Sequence, residues 1–383
     1  MDLPFNLRKL SKQLFDGYVF AKAYGATPPK GPGRLEKRPI VVAPLRDRIV
    51  QRAILDVLQQ ESRLLGLREI INTPTSIGGI PGKGVDTAIL LIDEEVGKGR
   101  VHLAGSDIAS FFTKIPKSQV VEFIRSQGID HEFVCLFESA LTVELENEAR
   151  LPNEDRKLFP TDEMGVAQGC PLSALAGNIV LSNFDAELND PSRGLVCIRY
   201  IDDFLLMGRK SAQVAKGMER AREILHDLGM GIYDPATHGS KAFAGHISDG
   251  HVFLGHQLIP GSYPPSANAQ LKLRRSIDEL IAAGQKSIDK VCHGHALKHH
   301  DRSFADTIVA IDRTIRGWRG SFRSSSCSRT FAALDHWIAR RIGDFERYLD
   351  DHAPKKGERR TRAIGVSNMD QPQLPGQSLP PLK

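Results

Sequence analysis

Two adjacent carboxylates stand inside an otherwise apolar and aromatic run, RYIDDFLLMG (199–208). Charged side chains are rarely buried without a partner, because an ionised group is costly to remove from water. A third acid, Asp107, lies in VHLAGSDIASFF (101–112), which is typical of a strand that ends on two aromatic residues. Asp202 and Asp203 could simply cap a turn, as aspartate often does. Their apolar flanks argue against an exposed turn and favour a metal ion as the partner.

Three carboxylates on neighbouring strands suit the joining of nucleotides. In that reaction an oxygen attacks phosphorus in line with the leaving oxygen, and two divalent ions about 4 Å apart stabilise the charge on both. Mg²⁺ takes hard oxygen ligands and keeps water and phosphate in its shell. The sequence therefore predicts a site for two Mg²⁺ ions, with Mn²⁺ as a substitute, at which Asp107, Asp202 and Asp203 converge.

The elements predicted around these acids determine how they could meet. After the strand that carries Asp107 come a helix (117–128), a polar insertion (144–162) and a glycine turn with a long helix (165–188). A hairpin with Asp202–Asp203 at its tip (194–208) and an amphipathic helix (211–229) follow. This order is typical of an antiparallel sheet with helices on one face, so the predicted fold class is α+β. Residues 268–350 are mostly helical and basic, which indicates a separate lobe.

The overall composition fits a nucleic-acid enzyme of the cytoplasm. The formal charge is only +5, but basic residues crowd several short stretches, and such local surfaces suit polyanions. Five scattered cysteines without a CxxC pair give no sign of a zinc ribbon or a disulfide framework. No run of about 18 apolar residues occurs, so we expect no membrane association.

One dense group of metal-ligand residues lies outside the predicted site. CHGHALKHH (292–300) places one cysteine and four histidines within nine residues: Cys292, His293, His295, His299 and His300. Cysteine and histidine are the usual zinc ligands. Because no second cluster with matching spacing is present, we favour a polar loop between helices, in contact with phosphates, over a zinc site.

Several blocks, read in order, resemble reverse transcriptases, most closely the group II intron type and its bacterial relatives. RPIVVAPLRDRIVQRAI resembles the block R-P-h-x-h-P followed by D-R-h-x-Q, and MGVAQGCPLSALAGNIVL resembles the Q-G-x-P-L-S block. SDIASFF and RYIDDFLL resemble the two catalytic blocks, and RTIRGWRGSFR resembles the helical thumb. SIGGIPGKG departs from the usual Gly-Phe-Arg-Pro-Gly. The resemblance spans roughly residues 30–345 in family order, and this collinearity makes it specific.

The resemblance implies a right-hand polymerase, with α+β fingers and palm followed by an α-helical thumb. The expected divisions are N-terminal helices and fingers (1–105), a catalytic palm with a fingers insertion (106–265), the thumb (266–350) and a flexible tail (351–383). The tail is charged and then rich in Pro, Gln and Ser, a composition that does not form a packed core.

The resemblance also assigns roles within the palm. Asp107 and Asp202 would bind both metals, with Asp203 in support and the carbonyl of Ile108 completing one shell. Phe112 matches the position at which a bulky ring would clash with a ribose hydroxyl, which implies dNTP substrates and a DNA product. Without the surrounding block, Phe112 would read simply as a core aromatic.

Further residues are assigned to the nucleotide and to the duplex. Arg38 would grip the triphosphate, with Lys37 either helping or facing solvent. The loop residues Gln168 and Gly169 would lie against the incoming nucleotide and template, unless they only form the turn that starts a helix. Lys241 would protonate the leaving pyrophosphate, although its block departs from the usual Pro-x-Lys-Thr and His238 lies nearby.

In the predicted thumb, Trp318 and Phe322 stand four residues apart and so share one helical face, most simply as a core contact. Arginines on the other faces would then bind the primer–template backbone, where phosphate contacts supply affinity without sequence choice: Arg316, Arg319 and Arg323.

The predicted function is therefore an RNA-directed DNA polymerase. No Cys-rich or His-Asn-His-like endonuclease block follows the thumb, so we expect a standalone bacterial enzyme that works in phage defence with a dedicated, structured non-coding RNA. The alternatives are a maturase-like RNA-binding protein of a group II intron, a retron-type enzyme, and synthesis without a template. Intact Asp107, Asp202 and Asp203 argue against a protein that only binds RNA.

Overall fold

The computed structural model describes residues 3–31, 35–61, 63–239, 241–298 and 300–366. The chain forms two compact units, one that ends at His251 and one that begins at Val252.

The first unit mixes strands with mostly short helices. Its helices are α1 (Leu3–Phe15), α2 (Leu45–Gln60), α3 (Leu65–Asn72), α4 (Val85–Gly97), α5 (Lys117–Ser126), α6 (His131–Leu141), α7 (Asn153–Arg156), α8 (Ser173–Val180), α9 (Ser182–Leu188) and α10 (Ser211–Asp227). Its strands are β1 (Tyr24–Ala26), β2 (Ile40–Val42), β3 (His102–Ala109), β4 (Leu195–Tyr200), β5 (Asp203–Gly208), β6 (Gly231–Ile232) and β7 (Ala242–His246).

The central sheet is antiparallel throughout. Strand β5 lies between β4 and β3, and the other edge of β3 pairs with β7 along residues 102–106 and with β6 at residues 108–109. Residues Phe204–Met207 of β5 are fully buried, and α10 packs against the sheet. A strand buried on both faces is apolar along its whole length rather than alternating. The α+β class with an antiparallel sheet, predicted from the sequence, is confirmed.

The hairpin that joins β4 to β5 differs by one residue from the prediction. Tyr200 pairs with Asp203, so the two turn residues are Ile201 and Asp202, and Asp203 already belongs to β5. The predicted tip at Asp202–Asp203 is therefore wrong. Ile201 has a φ of +60°, a conformation that β-branched residues adopt only under strain of about 1–3 kcal/mol. Surrounding contacts must hold this turn in place.

A small sheet precedes the central one and gathers distant parts of the chain. Strand β1 pairs with β2, and the amide of Ala23 donates to the carbonyl of Glu144 at 2.8 Å. Both ends of the Asn147 amide bond the backbone of Gly25, each at 2.8 Å. The polar insertion predicted around 144–162 thus covers this sheet.

The second unit consists of a short hairpin and helices. Its elements are β8 (Val252–Phe253), β9 (His256–Gln257), α11 (Ala267–Cys292), α12 (Phe304–Ser321), α13 (Ser328–His352) and α14 (Glu358–Ile364). The three long helices bury one apolar face each around Ile277, Ile311 and Phe345. Among the helices that the structure describes, none is long and apolar enough to cross a bilayer.

The hairpin belongs with the helices, so the division falls earlier than the predicted start of the thumb at residue 266. The ring of His256 is fully buried and lies 4.6 Å from that of Phe322, measured between centroids. The hydroxyl of Ser325 donates to the carbonyl of Tyr263 at 2.7 Å. Likewise, residues up to 251 form one unit without a division at residue 105.

Helix α14 replaces part of the flexible tail that composition predicts from residue 351. It packs against α11, and Ala363 is 1% exposed. The guanidinium of Arg360 donates to the carbonyl of Leu349 at the end of α13. The charged stretch is therefore ordered by the apolar groove that it covers. The rest of the predicted tail, 367–383, lies outside the described residues.

Candidate active site

The three predicted acids meet at one end of the central sheet. Asp107 of β3 lies directly opposite Asp203 of β5 in the strand register. Asp202, in the turn before β5, accepts a hydrogen bond at its backbone carbonyl from the amide of Ile108, at 2.9 Å. The sheet therefore brings together two acids on the adjacent strands β3 and β5 and a third acid in the turn that joins β4 to β5.

Burial, together with the nearby carboxylates, raises the pKa of Asp202 and of Asp203. Burial, followed by the hydrogen bond and charge of Asp107, raises the pKa of Asp203 to about 9. Burial also raises the pKa of Asp202, and the charge of Asp107 adds to this effect, while the charges of Arg38 and Arg199 oppose it. With a pKa of about 9, the Asp203 carboxyl holds a proton at neutral pH unless a cation binds in its place.

This donor set fits a hard divalent cation. Carboxylate oxygens are the ligands that Mg²⁺ prefers, and their mutual repulsion is relieved when a cation binds. Among the described residues, no group of three or more His, Cys, Asp or Glu side chains could hold a metal ion, so side chains alone do not supply a complete set of ligands. Mg²⁺ commonly takes one or two carboxylates and completes its shell with water and substrate phosphates. An open site of this kind therefore suits a metal that arrives with a nucleotide.

The raised pKa of Asp203 predicts a pH-dependent stability. The native carboxyl keeps its proton up to about pH 9, whereas the unfolded chain releases it near pH 4. Between these values the native state binds more protons, so in EDTA the melting temperature should fall as pH rises from 5.5 to 8.5. Saturating Mg²⁺ should flatten this slope by replacing the proton. Thermal melting at three pH values, with EDTA or Mg²⁺, measures it.

The control for this experiment is Asp203→Asn, which carries no titrating proton. Its melting temperature in EDTA should fall less between pH 5.5 and 8.5 than that of the wild type. Equal slopes for the two proteins would show that Asp203 titrates as an ordinary carboxyl.

The two aromatics that follow β3 have different environments. Ser110, with a φ of +56°, begins a short 3₁₀ turn that contains both rings. Phe111 is 2% exposed and lies against Gly177, where an added Cβ would come within 2.7 Å of the ring. Phe112 is only half-buried, and its carbonyl accepts from the amide of Val166 at 2.8 Å. Phe111 is thus a buried core residue, whereas Phe112 packs against the same core and is only partly buried.

The loop at Gln168 and Gly169 joins the small sheet. The amide of Val41 donates to the carbonyl of Gln168 at 3.0 Å. Gly169 has a φ of +116°, and a Cβ there would lie 2.9 Å from the carbonyl oxygen of Val41. Both features require glycine at this position. The loop is therefore fixed by its backbone, which leaves the Gln168 side chain for another role.

Arg38 and Lys37 are neighbours with different partners. The ammonium of Lys37 lies 2.7 Å from each carboxylate oxygen of Asp155, so its charge is already paired. Arg38 is exposed, and its positive charge acts on Asp202. Of the two predicted triphosphate ligands, Arg38 is the one whose charge reaches the acids.

Lys241 is tied to the acid cluster through its backbone, because its carbonyl accepts from the amide of Asp107 at 3.1 Å. Its ammonium lies 3.1 Å from the hydroxyl of Tyr233, 4.2 Å from the centre of that ring, and 3.5 Å from a carboxylate oxygen of Glu36. The ring of His238 also lies near that of Tyr233, tilted by 54°, with 5.1 Å between the centroids. Sequence reasoning missed both partners: Tyr233, although it lies in the same recognised block as Lys241, and Glu36, which precedes the block that begins at Arg38.

In the helical unit, the predicted aromatic contact is present. The rings of Trp318 and Phe322 lie 4.6 Å apart between centroids. Arg316 pairs with Asp312 on the exposed surface of α12. Arg319 donates to the carbonyl of Phe322 at 2.7 Å and covers the ring of Phe331.

All three predicted phosphate-binding arginines therefore already have partners, including the exposed Arg323. In the cysteine- and histidine-rich loop, His293 bonds the backbone of Asp289, and Lys290 pairs with Asp301 at 2.6 Å. Its described members form no metal-binding group, and His299 lies outside the described residues. These bonds fit a structured polar loop.

Three known proteins or complexes illustrate what this chain is similar to. The chain is 28% identical over 295 residues to Protein YkfC of Escherichia coli (strain K12), with 67% of this chain and 72% of that protein covered. Telomerase from Candida tropicalis in complex with a fragment of telomeric RNA is 14% identical with a TM-score of 0.46, over 94% of this chain and 67% of that one. A Cas6-RT-Cas1–Cas2 complex is 24% identical with a TM-score of 0.31, over 58% and 37%.

Two family models match the sequence directly. The model described as reverse transcriptase (RNA-dependent DNA polymerase) matches residues 28–257, more than half of the chain. The model described as group II intron, maturase-specific domain matches residues 285–362, which include helices α12 and α13 and most of α14. The first match contains the acid cluster and its surrounding elements, and the second lies in the helical unit. The chain therefore belongs to the reverse transcriptase family, as an RNA-directed DNA polymerase of the prokaryotic, group II intron-like type.

Proposed function

We propose that the acid cluster is the nucleotidyl-transfer site and that it works with two Mg²⁺ ions. The observation that carries this proposal is the register of β3 and β5, which places Asp107 beside Asp203 with Asp202 in the adjoining turn. Asp107 and Asp202 would hold the metals, with Asp203 and the carbonyl of Ile108 in support. When bound, the ions would stabilise charge on the attacking and leaving oxygens.

Other residues of the chain would orient the substrate. Arg38 would bind the triphosphate, because its guanidinium is exposed and its charge acts at the acid cluster. Lys241, beside Tyr233, would supply a proton to the leaving pyrophosphate. Gln168 and Gly169 would lie against the base pair being formed, and the ring of Phe112 would exclude a 2′-hydroxyl. The substrates would then be dNTPs and the product DNA.

We further propose that the template is a dedicated, structured RNA and that the enzyme works in bacterial phage defence. Gln168–Gly169 argues mildly against a diversity-generating enzyme, whose block usually differs, and the thumb's likeness to the intron type argues mildly against a retron. The match of the helical unit to a maturase-specific domain supports binding of folded RNA. All five cysteines are free thiols, which supports a reducing cytoplasm as the site of action.

The same maturase match favours one alternative, a protein that binds and folds an intron RNA without copying it. Sequencing of the nucleic acid that co-purifies with the protein separates the two. Wild type and the double variant Asp202→Ala/Asp203→Ala are each purified, incubated with dNTPs and Mg²⁺, and sequenced for RNA and DNA. We expect one structured RNA in both samples and complementary DNA only in wild type.

Equal enrichment of RNA without DNA in either sample, with any supplied primer, would favour the maturase-like role. Enrichment of a self-spliced intron RNA would also place the enzyme with introns rather than defence. DNA that matches no co-purified RNA would indicate synthesis without a template.

A further inference from the structure

Arg199 is a fully buried arginine in the strand that leads into the catalytic turn. It is 0% exposed, and each of the five N–H groups of its guanidinium has an acceptor. Nε and Nη2 bond the two carboxylate oxygens of Asp185, Nη2 also bonds the hydroxyl of Ser76, and Nη1 bonds the side chain of Asn178 and the carbonyl of Ile201. The bond to Ile201 runs directly to the turn, at 2.9 Å.

The acceptors come from four separate parts of the chain. Asp185 lies on α9, Asn178 on α8, and Ser76 in the loop between α3 and α4. That loop adds to the edge of β4, since Arg199 donates to the carbonyl of Thr75 and accepts from the amide of Ile77, both at 2.9 Å. The guanidinium therefore joins two helices and a loop to the catalytic turn.

The loop is itself fixed from the other side. The ammonium of Lys83 donates to the carbonyls of Ile71, Thr73 and Ser76. Asn178, which accepts from Arg199, donates to the carbonyl of Gly78 at 3.0 Å. Gly78 in turn lies against Ile201, where an added Cβ would be 2.5 Å from the backbone nitrogen of Ile201. The turn is thus confined by Arg199 within the sheet and by Gly78 from the loop.

Confinement of this kind is what the turn requires. Ile201 has a φ of +60°, which an isoleucine leaves readily unless its surroundings prevent it. Asp202 and Asp203 follow immediately, so relaxation of Ile201 would move both carboxylates relative to Asp107. Metal sites lose affinity and activity when the groups that orient their ligands are removed.

We propose that Arg199 is a positioning residue for the metal site, and that the network of Asp185, Asn178, Ser76 and Gly78 holds the strained turn in the geometry that binds divalent cations. This inference rests on the proposed role of Asp202 as a metal ligand. Lysine has three donors on a flexible stem and cannot replace a fixed five-donor fork. Arg199→Lys therefore keeps the charge but loosens the turn.

The test measures cation binding and turnover separately. Mn²⁺ is titrated into the full-length protein and followed by the loss of its free EPR signal, and steady-state primer extension gives kcat and KM for dNTP. For Arg199→Lys we expect kcat to fall by about 10- to 100-fold and Mn²⁺ binding to weaken by a similar factor. KM for dNTP should change less than about threefold, because the residue does not contact the nucleotide.

Gly78→Ala is a second variant that leaves the buried ion pair intact. Its new methyl group pushes on Ile201, so it should weaken Mn²⁺ binding and kcat in the same direction. If circular dichroism and melting in EDTA show that Arg199→Lys does not fold, Gly78→Ala still tests the proposal. The matched controls are Arg220→Lys and Gly97→Ala. Arg220 of α10 pairs with Glu187 of α9 and with Glu223 of its own helix, and an added Cβ at Gly97 meets no atom within 4 Å.

The outcomes separate this inference from the proposed function. If the folded Arg199→Lys and Gly78→Ala proteins bind Mn²⁺ and turn over like wild type, the positioning role is wrong. A change confined to KM for dNTP would also overturn it. If Asp202→Asn binds Mn²⁺ and extends primers like wild type, the metal-site assignment itself fails, whatever the Arg199 variants do.

Discussion

Replacement of Asp202 by asparagine should reduce the rate of DNA synthesis by at least about 10³-fold while the protein remains folded. The amide keeps the size of the side chain but removes a charge that a divalent ion needs. Metal stabilisation of the transition state contributes several kcal/mol, and each 1.36 kcal/mol corresponds to about tenfold in rate. Single-turnover extension of a DNA primer on an RNA template measures the effect.

The structure also predicts the sign of the effect on stability, which distinguishes a lost ligand from a damaged fold. Because burial and the charge of Asp107 already raise the pKa of Asp202, removal of its charge should not lower the melting temperature in EDTA at pH 8. The matched control is Asp227→Asn, which changes an exposed acid at the end of α10 and should leave both rate and melting unchanged. Activity of Asp202→Asn near that of wild type would contradict the assignment.

Reduction of the ring at residue 112, by Phe112→Val, should allow ribonucleotides into the product. Phe112 is half-buried and lies in the turn that follows the strand of Asp107, and a smaller side chain there would leave room for a 2′-hydroxyl. A purely apolar contact discriminates against one added hydroxyl by about 10²-fold, so we expect that much of the preference for dNTP over rNTP to disappear. The ratio of kcat/KM for dCTP and rCTP on one template measures it.

The comparison depends on an otherwise unaltered enzyme. In Phe112→Val, kcat/KM for dNTP should remain within about tenfold of wild type, because Phe111 is the buried ring of this turn, whereas Phe112 is only partly buried against the core. Equal losses for dNTP and rNTP, with an unchanged ratio, would assign Phe112 to packing and leave sugar selection to another residue.

The sequence predicts the parts of this site that depend on local pattern. Alternating elements and the blocks around Asp107 and Asp202 were sufficient for the α+β class and for the strands that carry the acids. The turn was misplaced by one residue because its conformation depends on a positive φ at Ile201, a residue type that ordinarily avoids it. The local sequence of the hairpin does not predict a positive φ at this position.

The sequence did not predict the side-chain contacts between residues that are far apart in the chain. Lys37 and Asp155 are 118 positions apart, so the pairing that occupies Lys37 cannot be read from its surroundings. Arg199 and Ser76 are 123 positions apart. The available signal was an arginine inside an apolar strand, since a buried charge requires a partner. That signal indicates that a partner exists but not where it lies in the chain.

The order of the strands in the central sheet has a consequence for synthesis of the protein. Strand β3 lies between β5 on one edge and β6 and β7 on the other, and all three follow it in the chain. At 5–20 residues per second, a ribosome needs roughly 5–20 s to make the 99 residues from Ser110, after β3, to Gly208 at the end of β5. During this time both edges of a largely buried strand have no partner, which exposes the nascent chain to aggregation. The catalytic sheet can therefore close only late in translation, and we expect its yield in cells to depend on chaperones that bind the nascent chain.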